Sequence, residues 1–172
     1  GFVEDRASGA LVVDGGLRFD SGKSNALTRT PSSVGNKTTF TWSGWVKRNI
    51  ISVRQYIFSA TSGGNSDAIY FHEDNTLRFH LDDGLDGALV TTQLFRDPSA
   101  WYHLLWSVDF TQATSTNRVK LYVNGTQITA FSTSTYPSQN YANGDINNTV
   151  AHAVGRRQIS SPDYYLSAQL SN

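Results

Sequence analysis

The chain has 172 residues, no Cys and no Met, and 14 Lys+Arg balance 14 Asp+Glu. Zero cysteines exclude disulfides, thiolate metal sites and a cysteine nucleophile, and zero formal charge leaves no electrostatic footprint for nucleic acid. No run approaches about 18 apolar residues, which argues against membrane insertion.

Helix formers are scarce, and the only Glu are Glu4 and Glu73. Thr, Val, Tyr, Phe and Trp suit a pleated, half-buried surface instead. Residues 1–16 read as a linker arm punctuated by Gly9, Gly15 and Gly16, in which only Leu11-Val-Val13 could pair as an edge strand. Short alternating runs then predict strands at Leu17–Asp20, Ala26–Thr30, Thr38–Lys47, Gln55–Ser59, Ala68–His72, Thr76–Leu81, Ala88–Gln93 and Trp101–Asp109. In Arg118–Ala130, Asn124-Gly125 supplies the two positive-φ positions of a tight hairpin turn. That turn pairs Val123 with Thr126, Leu121 with Ile128 and Val119 with Ala130. Ser132–Thr149 has little regular pattern and reads as a long polar loop. Strands at Val150–Gly155 and Tyr164–Leu170 close the series. So many strands in one domain must fold into two sheets. The expected class is all-β: a two-sheet antiparallel jelly-roll sandwich over residues 17–172. A Met-free chain whose last strand stops without a turn reads as a segment of something longer.

Three runs carry a family resemblance. Thr39-Phe-Thr-Trp-Ser-Gly-Trp-Val-Lys47, Trp101-Tyr-His-Leu-Leu-Trp-Ser-Val-Asp109 and Arg118-Val-Lys-Leu-Tyr-Val-Asn-Gly125 resemble successive strands of laminin-G-like, concanavalin A-like jelly rolls. Leu17-Arg-Phe-Asp20 and Val154-Gly155-Arg156 are similar to its first and late strands. The phrases Thr30–Asn36, Phe95–Trp101 and Thr135–Asn140 look like versions of this domain in structural proteins of marine tailed bacteriophages. The resemblance implies a module on a virion surface, in a fibre or spike, binding host-surface glycan or packing against other virion subunits. It also implies a homo-oligomer, such as a trimer, through the parent protein. An extracellular location follows from the same likeness.

Glycoside hydrolases share this fold, so catalysis must be weighed. Retaining members carry E-x-D-x-x-E on one strand, because nucleophile and acid/base need two carboxyls about 5 Å apart. Here the two Glu lie far apart in the chain and neither sits in such a run. No G-x-S-x-G nucleophile elbow occurs. The expectation is a non-enzyme. His72, His80, His103 and His152 read as solvated or hydrogen-bonded, although a hairpin at Glu73-Asp74-Asn75 could bring His72 near His80.

Calcium is a possible cofactor by family resemblance, and a hard cation takes oxygen ligands. The candidate ligands are Asp82, Asp83 and Asp86, with Asp20 as another. Asp-Gly pairs also simply make turns. Sugar recognition needs aromatic faces with amides and carboxylates beside them. Tyr136, Gln139, Asn140, Tyr141, Asn143 and Asp145 in the long loop supply those groups. Alternatively Tyr136 and Tyr141 plug the end of the sandwich. The turns at Thr61–Asp67 and Asp82–Gly87 are further binding candidates. The four tryptophans read as core rather than as sugar platforms, and Arg156-Arg157 as a solvated pair.

Overall fold

The computed structural model describes residues 16–157 and 164–171. Leu11-Val-Val13 and most of the predicted linker arm lie outside them. Two antiparallel sheets face each other, so the expected sandwich forms. The first sheet contains β1 (Leu17–Phe19), β3 (Thr39–Arg48), β8 (Tyr102–Asp109), β9 (Val119–Val123), β10 (Thr126–Ile128) and β15 (Ala168–Ser171). Its order is β1-β15-β3-β8-β9-β10. The second contains β2 (Leu27–Arg29), β4 (Gln55–Ser62), β5 (Asn65–Phe71), β6 (Thr76–Leu81), β7 (Gly87–Leu94), β11 (Phe131–Thr135) and β12 (Ala151–Val154). Its order is β11-β7-β6-β5-β4-β12-β2. A small ribbon pairs β13 (Arg156–Arg157) with β14 (Tyr164–Tyr165).

The strand period of two explains the core. On β8 and β9, Leu104, Trp106, Val108, Val119, Leu121 and Val123 are buried, while the residues between them are half-buried. The second sheet answers with Ile69, Phe71, Leu77, Phe79 and Leu89. Trp106 stacks on Phe79 with ring centroids 5.1 Å apart, joining the sheets. Arg48 brings a charge to the inner face, beside the buried Gln55. Its Nη1 donates to Asn75 Oδ1 and to the Phe95 carbonyl, and its guanidinium lies 4.5 Å from the Phe71 ring. Burial lowers its pKa to about 10.

Four strand expectations change. The hairpin pairs Val123 with Thr126 and Leu121 with Ile128 as expected, but β10 stops at Ile128. The chain must cross to the other sheet there, and the Ala130 carbonyl accepts from Thr92 N–H. The predicted turn at Thr61–Asp67 is mostly strand, since β4 and β5 run on to a tight turn at Gly63-Gly64. The predicted loop from Ser132 begins as strand, because β11 pairs with β7 up to Thr135. The single strand Tyr164–Leu170 is two. Leu166 is fully buried and donates its N–H to Gly155 O, which carries the chain from the outer ribbon into the first sheet. Gly155 has φ +83, and a Cβ there would meet the Phe19 ring at 2.5 Å.

Candidate functional site

At one end of the sandwich the Asp82–Asp86 turn meets the loop that follows β11. Together with the end of β4 and the start of β5 they enclose a polar pocket of about 170 Å³. Ser62, Asp67, Asp82, Asp86, Tyr141, Asn143, Gly144 and Asp145 line it.

Asp67 anchors the pocket. It projects from β5, is 2% exposed, and accepts from the backbone N–H groups of Asp82, Asp145 and Ile146. Burial raises its pKa, and those three N–H groups oppose the rise. Gly144 is required beside it, since a Cβ would sit 2.7 Å from Asp67 Oδ2. The loop is therefore held by a buried carboxylate far away in sequence.

The predicted loop residues divide into supports and lining. Tyr141 is buried, packs edge-on against Phe110 and donates from its hydroxyl to Asp86 Oδ2 at 2.8 Å. Burial, then the Asp86 bond, pushes its pKa up. Tyr136 is half-buried against the core. Gln139 donates to Thr111 O, and the Asn140 N–H donates to Phe110 O. Asp145 accepts from both the N–H and the hydroxyl of Ser62, each at 2.7 Å. Asn143 is exposed on the pocket lip. Thus Tyr141, Asn143 and Asp145 reach the pocket, while Tyr136, Gln139 and Asn140 fasten the loop beside it.

The three aspartates proposed for calcium do not converge. Asp82 Oδ1 accepts from Asn65, Asp86 faces Tyr141, and Asp83 turns away to Ser66 Oγ and Arg157. Asp82 and Asp83 both adopt positive φ, a conformation that Asp tolerates in turns. Asp20 instead caps a short turn by accepting from Gly22 N–H. Among the described residues no three Asp, Glu, His or Cys side chains form a metal-holding group. Asp82, Asp83 and Asp86 therefore do not fit calcium as a set.

Asp83 belongs to another cluster, on the outer face of the seven-stranded sheet. Tyr56 and Tyr70 stack at 4.6 Å, and Tyr164 of the ribbon covers Tyr56. Arg157 is buried rather than solvated, because it spans from the ribbon to Asp83 and Ser66. His80 packs on Tyr70, and burial lowers its pKa to about 4. His72 contacts Tyr70 from the other side and bonds to Arg54. Tyr70 thus stands between the two histidines. His152 Nε2 accepts from Asn147 N–H.

The sequence profile of the concanavalin A-like lectin/glucanases superfamily matches residues 20–172. The chain belongs to that superfamily. Solved structures repeat the fold. A heptameric SAP-like pentraxin from Limulus polyphemus superposes with TM-score 0.63 at 15% identity, over 95% of this chain and 76% of that one. A Trypanosoma rangeli sialidase in complex with 2,3-difluoro-KDN gives 0.54 at 13% identity, over 79% of this chain and 20% of the sialidase. Mouse laminin α1 domains LG4-5 give 0.52 at 16% identity, over 93% and 41%. At these identities the likeness shows the fold alone. The superfamily member described here spans a fifth of the sialidase and about two fifths of the laminin segment. No curated protein matches the chain. No helix among the described residues is long and apolar enough to cross a membrane.

Proposed function

We propose that this chain is a non-catalytic glycan-binding module displayed on a phage virion, with the rim pocket as its site. The observation that carries the reading is the pocket itself, where two turns separated in sequence join around Asp67. Asp86, Asp145 and the Asn143 amide offer acceptors and donors suited to sugar hydroxyls. The buried Tyr141 fixes Asp86 without offering a ring face, so each site is expected to bind weakly. Several copies on an oligomeric fibre, a trimer in the simplest case, raise avidity without new contacts. The likeness to phage structural phrases supports host-surface glycan as the ligand.

A second reading, as an assembly or decoration element, rests on one observation. Leu17, Leu27, Trp42, Val154 and Leu170 line an open apolar groove where the β1 edge of one sheet meets the β2 edge of the other, suited to a neighbouring subunit. A glycan array of bacterial surface polysaccharides tests the first reading against it. Signal from the native domain that Asn143→Ala and Asp145→Asn reduce at least tenfold is the expected outcome. Silence across the array, with host adsorption unchanged by both variants, favours the assembly reading.

A further inference from the structure

The outer face of the six-stranded sheet carries chemistry that the rim pocket does not use. Val46, Leu104, Trp106 and Leu121 point inward and are buried. Their strand neighbours point outward, and among the described residues no other layer lies over them. Three of these outward groups are aromatic. Trp45 lies opposite His103 with ring centroids 5.0 Å apart, and both are half-buried. Trp101, just before β8, borders a shallow concavity with Arg18 and Gln169. Tyr122 sits opposite Leu105 on the next strand. Successive outward positions on a strand lie roughly 7 Å apart, so the rings form a stepped platform.

Cations outnumber acids on this face. Arg18 pairs in register with Gln169, and Gln169 with Lys47, placing two cations in one transverse row. Lys120 lies opposite Ser107 at the other side. Asp97 approaches Lys47, and Asp109 at the end of β8 is engaged by Thr111 and Gln112. The chain as a whole has no net charge, so a basic aromatic face is a local feature. Aromatic faces stack on the apolar side of sugar rings, and ammonium and guanidinium groups take carboxylate or sulfate. We infer that this face binds an acidic polysaccharide laid across β3, β8 and β9, with Trp45 as stacking platform and Lys47 and Lys120 as anion contacts.

Affinity electrophoresis of the 172-residue chain in gels containing sodium alginate, neutral dextran or inorganic polyphosphate tests this directly. Alginate should retard the native chain most, and dextran not at all. Lys47→Gln/Lys120→Gln and, separately, Trp45→Gln should each weaken alginate retardation at least tenfold, with thermal midpoints measured alongside. Asn143→Ala in the rim pocket should leave it unchanged. No retardation by alginate overturns the inference. So does retardation that Asn143→Ala abolishes and the lysine variant spares, which would assign acidic glycan to the rim instead. Equal retardation by polyphosphate, untouched by Trp45→Gln, reduces the face to a charge patch and also overturns it. If Trp45→Gln fails to fold, Tyr122→Ser takes its place under the same criterion.

Discussion

The two outer faces of this sandwich start from similar residues and end differently. Both carry aromatics, histidine and cations. On the seven-stranded sheet Tyr56, Tyr70 and His80 are buried beneath the β13–β14 ribbon, tied down by Arg157 to Asp83. On the six-stranded sheet Trp45, His103 and Tyr122 stay half-exposed. Aromatic content alone therefore does not decide whether a sheet face is core or contact surface. A covering element decides it, and the same side chains stabilise the fold in one place and stay available in the other.

The largest expected effect breaks the covered face. Asp83→Ala leaves the Arg157 guanidinium buried without its carboxylate, and losing one partner of such a pair costs about 3–5 kcal/mol. Urea unfolding should show that loss, and adding Arg157→Met should recover part of it. Recovery of nothing would mean that Arg157 is not held by Asp83.

The next effect depends on pH. His80 titrates at about 4 in the folded chain because of burial, below its ordinary 6.5. Its stabilising contribution is full above pH 6.5 and declines as pH falls toward 4. A gap of that size is worth up to about 3 kcal/mol. Stability measured from pH 7 to 4 should fall for the native chain and fall less for His80→Phe. Identical slopes would show that His80 is not buried neutral.

A smaller contrast compares the faces ring for ring. Tyr70→Ala should cost about 3 kcal/mol, as for a buried aromatic, whereas Trp45→Ala should cost about 1 kcal/mol. Equal costs in thermal or urea unfolding would place Trp45 under cover too. Smallest of all, Lys47→Gln/Lys120→Gln should change stability by no more than about 0.5 kcal/mol, as for surface substitutions.

Much of the framework was legible because its signals are local. Asn124-Gly125 between alternating runs specifies the β9–β10 turn, and the alternation around Trp106 marks the inner face. Strand β11 was hidden because Ser132-Thr-Ser-Thr135 shows no apolar alternation and is held only by pairing with β7. The rim pocket was half legible. Tyr141, Asn143 and Asp145 stand out from the composition and length of their loop, whereas Asp86 enters only as a calcium candidate in the Asp82–Gly87 turn. Asp67 carried no local sign of its role, since its carboxylate binds amides 15 and 78 residues away. Asp82, Asp83 and Asp86 looked like one cluster because they are close in sequence, yet Asp82 bonds to Asn65, Asp83 to Ser66 and Arg157, and Asp86 to Tyr141. Arg157 could not be read as buried without knowing that a ribbon folds over Tyr56.

The most direct test of the central claim is a titration of the purified domain with host-surface polysaccharide, followed by calorimetry and by an assay for new reducing ends. Saturable heat with no new reducing ends is the predicted result. Reducing ends that accumulate with time would contradict a non-catalytic binding module, and no heat with any polysaccharide would contradict binding itself.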